Sequence, residues 1–240
     1  MNLYLDIESI PGQHPDALAL VRATIKPPAT LKKPESIAAW WATDADAAAQ
    51  DAWRKQSLDG GTQGEIVSVA VTDGEGREWA RCRAVGESEA ALLQDFIDAV
   101  EGWTRDECHK LATSASARHA FPMDDHRLVA HNAAFDIGYL WRRMVVHGLR
   151  VPRWLPGPMA RAGQHYGDTM TVWAGWGKFI GLDALTRALG LPSPKEGGMD
   201  GAKVFDAWQA GQHDDIAAYN LKDAQAVAAV WHRLQTVGAV

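Results

Sequence analysis

Apolar and polar positions along the chain fall into runs of two periods. Residues 3–7 (LYLDI) make a short apolar strand that Pro11, Gly12 and Pro15 bring to an end. Residues 66–72 are β-branched and apolar, 73–76 (DGEG) read as a turn and 78–85 alternate, which together predicts a hairpin. Residues 91–103 carry Leu92, Leu93, Phe96, Ile97 and Val100 at spacings of one, three and four, so an amphipathic helix is expected to rest on a sheet. A strand at 127–131 leads at once into a helix over 135–148, with Ile137, Leu140, Trp141 and Met144 on one side and Gly148 at its end. Helices near 183–189 and 203–210 flank a loop at 192–201, and a last helix spans about 215–235. Two stretches interrupt the series. Between about 11 and 62 a proline-rich loop precedes helical pieces at 35–41 and 45–55, and 104–126 is polar and irregular, a surface insertion or a poor helix. No internal repeat is present. The succession predicts one α/β domain over 1–240, built on a mixed sheet.

With 240 residues, 47% hydrophobic and 22% charged, the chain is ordinary globular material, which excludes disordered, collagen-like and coiled-coil classes. Cys82 and Cys108 lack CxxC or paired-histidine company, so reduced thiols are expected rather than a zinc site. No apolar run reaches the roughly 18 residues of a membrane span, and the start, MNLYLDIES, is not a signal core; a soluble, cytoplasmic protein is expected. The formal charge of −6 argues against a broad basic grip on nucleic acid. An enzyme that gathers carboxylates around divalent metals would carry such a charge in its own site.

Acids do stand where a core should be. The apolar stripe of the last helix runs through Ile216, Val227, Val230 or Trp231, and Leu234, and it extrapolates through Tyr219 and Asp223. A carboxylate facing inward must be neutralised, paired or bound to metal. Asp6 and Glu8 lie two apart in an apolar strand, hence on one face. Asp136 falls in the first turn of its helix, after His131 and Asn132 at the strand end. An Asp-x-Glu pair arises by chance about once per chain of this length, and Asn-x-x-Phe-Asp in only about one chain in fifty. The three in this order are far more specific than any one.

Asp6-Ile7-Glu8, Asn132-Ala133-Ala134-Phe135-Asp136 and Tyr219-Asn220-Leu221-Lys222-Asp223 resemble the three motifs of the DEDD superfamily of 3′-to-5′ exonucleases, which share the ribonuclease H-like fold. Tyr219, four before the last aspartate, is similar to the DEDDy branch; the position where the DEDDh branch has histidine is Ala218. Within the branch the chain is most similar to the predicted exonucleases related to the proofreading domain of family B DNA polymerases. Lys26-Pro27-Pro28, Pro34-Glu35-Ser36-Ile37, Gly64-Glu65-Ile66-Val67 and Gly198-Met199-Asp200-Gly201 carry that likeness over nearly the whole chain, 104–125 apart.

The resemblance implies a ribonuclease H-like mixed five-stranded sheet flanked by helices. It implies two ions, Mg²⁺ or Mn²⁺, with Asp6 bridging them, Glu8 and Asp223 completing one shell and Asp136 holding the second ion through water. Tyr219 would position the attacking water. Ile7, Asn132 and Phe135 would shape the pocket, while Lys178, Lys195 and Lys203 are candidate phosphate contacts. His131 reads as a satisfied core histidine, and among the tryptophans Trp40, Trp41, Trp173 and Trp176 lie where they could meet a 3′ end. The expected partner is a single-stranded DNA 3′ end. RNA and a catalytically silent binding role stay open, and the oligomeric state is not readable. The 192–201 loop is expected to be mobile without substrate.

Overall fold

The structure is a computed structural model that describes residues 1–112, 126–195 and 198–240. Five strands, β1 (Asn2–Ile10), β2 (Glu65–Thr72), β3 (Glu78–Cys82), β4 (Arg127–Ala130) and β5 (Gly167–Asp168), form one sheet in the order β3-β2-β1-β4-β5. The β1–β2 and β2–β3 pairs are antiparallel, and the β1–β4 and β4–β5 pairs are parallel. This is the mixed five-stranded, helix-flanked sheet expected of the ribonuclease H-like class.

Helices α1 (Ala17–Thr24), α2 (Pro34–Thr43) and α3 (Ala45–Arg54) occupy the first insertion. They are followed by α4 (Glu89–Ala112), α5 (Ala133–Val146), α6 (Thr169–Ala174), α7 (Leu182–Ala188), α8 (Val204–Gln209) and α9 (His213–Thr236). Alternation along β1 decides which layer each side chain joins. Leu3, Leu5 and Ile7 meet Leu92, Phe96 and Val100 of α4 and Ile137, Leu140 and Met144 of α5 in one continuous core. On the opposite face, Tyr4 packs with Leu185, Val227, Trp231 and Leu234, whereas Ile10 packs with Val204, Phe205, Trp208 and Ile216. Between those two clusters stand Asp6 and Glu8.

A bulge between Glu8 and Ser9 in the β1–β2 pairing lets Val67 reach the α8 cluster while Ser68 accepts a hydrogen bond from Asn220 of α9. That bond, at 2.9 Å and fully buried, fixes α9 against β2 beside Glu8.

Five elements depart from the pattern read in the sequence. The helix expected to end at Trp103 runs on to Ala112: Thr104 stays buried, its hydroxyl donating to the Val100 carbonyl at 2.9 Å, while Arg105 and Asp106 are exposed. Residues 113–125, the rest of the stretch read as irregular, lie outside the described residues. Strand β3 stops at Cys82 instead of continuing to Val85. Arg83 is buried there, donating to the Ile66 and Glu87 carbonyls and pairing with Glu65 at 2.5 Å. Strand β5 and helices α1 and α6 were not foreseen: β5 has two residues, and α1 buries none. Gly167 of β5 sits under Trp231, where a Cβ would lie 2.7 Å from the indole.

Candidate active site

Strand β4 ends at Ala130 while β1 runs on to Ile10, so Asp6 and Glu8 project into a crevice beyond the carboxyl end of a parallel neighbour. Asp223 faces them from α9. Oxygen atoms of Asp6, Glu8 and Asp223 all lie within 4.8 Å of one another. Asp136 belongs to the same electrostatic group but not to that tight trio, and it enters from the first turn of α5. Its carboxylate receives backbone N–H groups from Ile7 and from Asp136 itself, which ties the α5 start to β1.

The trio and Asp136 line a cleft of about 460 Å³ together with Ile7, His131, Asn132, Phe135, Lys195 and Tyr219. Glu8, Asp136 and Asp223 are buried, and no ion pair reaches any of the four acids among the described residues. Burial first, and then mutual repulsion, holds the Asp6 and Glu8 carboxyls well above the usual range. Asp136 is raised chiefly by burial, and Asp168 and Asp223 add to it against the pull of the two N–H groups. Asp223 is pushed up to about 6 by burial, although a hydrogen bond from Tyr219 and the charge of Lys195 ease it. The Tyr219 phenol is driven far above its ordinary value by burial and by Glu8 and Asp223. It is a hydrogen-bond donor at neutral pH and not a base.

Tyr219 also lines a second cleft, of about 640 Å³, which shares Pro194 and Lys195 with the first and continues along Gly198, Met199, Lys203 and Ala218. Lys203 points back at its own loop, donating to the Gly198 carbonyl at 2.8 Å and pairing with Asp200 at 3.3 Å. Lys178 is exposed and lines neither cleft. The loop expected to be mobile includes 196–197, which lie outside the described residues. His131 is satisfied as a core histidine. Its Nε2–H donates to the Ile180 carbonyl and its Nδ1 accepts from Thr169, both at 2.8 Å, and burial lowers its pKa.

Asn132 adopts φ 61° and ψ 44°, the one positive φ among the described non-glycine residues. Asp168 holds it there. One carboxylate oxygen of Asp168 accepts the Asn132 N–H at 3.1 Å as well as those of Met170 and Thr171, so the same residue caps α6 and fixes the β4–α5 turn. Sequence reasoning missed Asp168. Its signal was an aspartate just before Thr-Met-Thr, a helix cap concealed by the brevity of α6.

A family model described as predicted 3′-5′ exonucleases related to the exonuclease domain of PolB matches residues 119–239. The chain belongs to this family. The matched exonuclease span holds Asn132, Phe135, Asp136, Tyr219 and Asp223, whereas Asp6 and Glu8 lie before it. Their membership of the site comes from the geometry, which seats both against Asp223. No curated protein matches the chain significantly. Among the described residues no helix is long and apolar enough to cross a membrane.

Proposed function

We propose that the chain, acting as one domain over 1–240, removes nucleotides singly from the 3′ end of single-stranded DNA with two divalent ions, Mg²⁺ or Mn²⁺, held by Asp6, Glu8, Asp136 and Asp223. The observation that carries this reading is a deficit of positive charge: four carboxylates share one cleft with no ion-paired cation among the described residues, and each binds its proton more tightly than an ordinary acid. Their donor atoms are all oxygens, which suits hard divalent cations far better than zinc. When bound, such ions would acidify water and stabilise charge on the attacking and leaving oxygens of a displacement at phosphorus.

The chain's own residues supply position. Asp6, Glu8 and Asp223 offer oxygens close enough to share one ion, and Asp136, fixed by the Ile7 N–H, would serve the second. Tyr219 keeps its proton, so its work is to orient the attacking water and to brace Asp223. Ile7, Asn132 and Phe135 would seat the terminal nucleotide on the cleft wall, and Lys195 would meet a phosphate at the rim. Lys203, on the second cleft, would meet the strand further along if it leaves its contacts with Gly198 and Asp200.

Digestion of 5′-labelled single-stranded DNA, with matched RNA and a closed circular DNA beside it, tests the reading. DNA should shorten as a one-nucleotide ladder in Mg²⁺ or Mn²⁺ and stay intact in excess chelator. Cleavage of the circle, or activity that survives the chelator, would overturn it, and faster loss of RNA would reassign the substrate.

A further inference from the structure

Large exposed apolar side chains are scattered over most of the surface but concentrate on one segment. Trp173, Trp176 and Phe179 are 46, 74 and 79% exposed, with half-exposed Val172 beside them in sequence. Among the described residues no ring or guanidinium packs on these three. The other exposed tryptophan already has partners: Trp41 meets Trp40 edge to face and is covered by Arg22. Helix α6 ends at Ala174, and Gly175 and Gly177, both at positive φ, fold the chain into a turn closed by the Lys178 N–H on the Gly175 carbonyl. Trp176 stands at its tip.

The far end of this segment is anchored to the active site. The Ile180 carbonyl accepts from His131, a cleft residue, and Gly181, Leu182 and Asp183 line the cleft themselves. The exposed rings therefore rise from the stretch of chain that goes on to build the cleft wall. Charge agrees with an anionic occupant: residues 169–182 contain Lys178 and no acid, in a chain of formal charge −6.

We propose that Trp173, Trp176 and Phe179 form a stacking platform for the unpaired bases that precede the terminal nucleotide of the substrate strand, with Lys178 on the accompanying phosphate. This rests on the exonuclease reading. Ring faces accept any base, so the platform gives length-dependent affinity without sequence preference. It also gives Lys178 a place on the strand although it lines neither cleft.

The test compares the wild type with a Trp176→Ala/Phe179→Ala variant. Two probes are used: the p-nitrophenyl ester of thymidine 5′-monophosphate, which reaches only the cleft, and a ten-nucleotide deoxyoligomer, intact or abasic at all but its last nucleotide. Hydrolysis is followed in Mn²⁺, and oligomer binding is read by anisotropy in Ca²⁺. Ester turnover should be unchanged in the variant. Its Kd and KM for the intact oligomer should rise at least tenfold with little change in kcat. The abasic oligomer should bind the wild type as weakly as it binds the variant. Equal oligomer affinity in the two proteins, or a wild type indifferent to base removal, would overturn the platform. So would a wild-type dimer that the substitutions dissociate without changing oligomer affinity, since the face would then belong to a second copy. A wild type that neither hydrolyses the ester nor binds the oligomer would instead sink the exonuclease reading.

Discussion

Glu89, shut in between β2, α4 and α5, and the four acids of the cleft are opposites in how their charge is met. On the α4–α5 side, Glu89 is closed in by Arg143, whose Nε and Nη2 donate at 3.0 and 2.6 Å, by His147 at 2.7 Å and by the Ile66 N–H at 2.7 Å. Burial pushes its carboxyl up, but those hydrogen bonds and the Arg143 charge outweigh it and leave the group below the usual range. Around the cleft, Asp6, Glu8, Asp136 and Asp223 have no ion-paired cation among the described residues, and the N–H groups on Asp136 and the Tyr219 hydroxyl on Asp223 do not offset burial and mutual repulsion, so all four are raised. The chain can neutralise a buried acid when structure is all that is needed. Where it does not, the acids hold their protons more tightly, or take the outside cation that the proposed function assigns to them.

The largest effect should follow from removing one of the unneutralised acids. Asp223→Asn is expected to lower turnover on DNA by about 10⁴-fold or more while leaving the metal-free protein no less stable, because like-charge repulsion is relieved. Single-turnover kinetics beside urea denaturation in chelator reads both quantities. The reverse change on the other side is Arg143→Met. It leaves the Glu89 charge buried with His147 and the Ile66 N–H but without its guanidinium, and should cost about 3–5 kcal/mol of stability, measured by the same denaturation. If Asp223→Asn destabilised as much as Arg143→Met does, the two groups would not differ in kind.

Protonation separates them further. Between about pH 4 and 6 the folded, metal-free protein holds protons on Asp223 and its neighbours that the unfolded chain has released, so stability contributed by this group falls as pH rises through that window. For Asp223 alone the change is on the order of 3 kcal/mol, and saturating Mg²⁺ should remove most of it. Glu89 slopes the other way: its contribution is present above the ordinary glutamate pKa and is lost as pH falls through its depressed folded value. Denaturation at pH 4.5 and 7, with chelator and with Mg²⁺, checks the sign. The smallest effect is reserved for Tyr219→Phe. Losing only a hydroxyl that orients water, it should lower turnover about 10²-fold with metal affinity nearly intact.

Most of the candidate site was legible because its acids broke a pattern strong enough to be noticed. Asp223 interrupts the apolar stripe that runs from Ile216 to Leu234 along α9, and Asp6 and Glu8 interrupt a central strand, so periodicity and chemistry disagreed at the positions that matter. Asn132 and Asp136 broke no pattern at their strand–helix junction and were found by the rarity of their Asn-x-x-Phe-Asp spacing. Asp168 was not, since its strand has two residues and its helix six, too short for either period to register. Helix α1 left no stripe because it buries nothing, and the second half of α4 read as irregular because its residues from Thr104 on are mostly polar. Lys178 illustrates another limit: sequence named it a candidate phosphate contact beside Lys195 and Lys203, but which cavity a surface lysine borders depends on a turn set by Gly175 and Gly177.

Calorimetric titration of Mn²⁺ into the metal-free wild type and Asp6→Asn at pH 7 tests the central claim most directly. Asp6 shares the trio with Glu8 and Asp223 and feels the charge of all three other acids. The wild type should bind two ions, and Asp6→Asn should lose tight binding of both together with DNA hydrolysis. A wild type that binds no Mn²⁺, or an Asp6→Asn protein that binds it with unchanged affinity, would contradict the account.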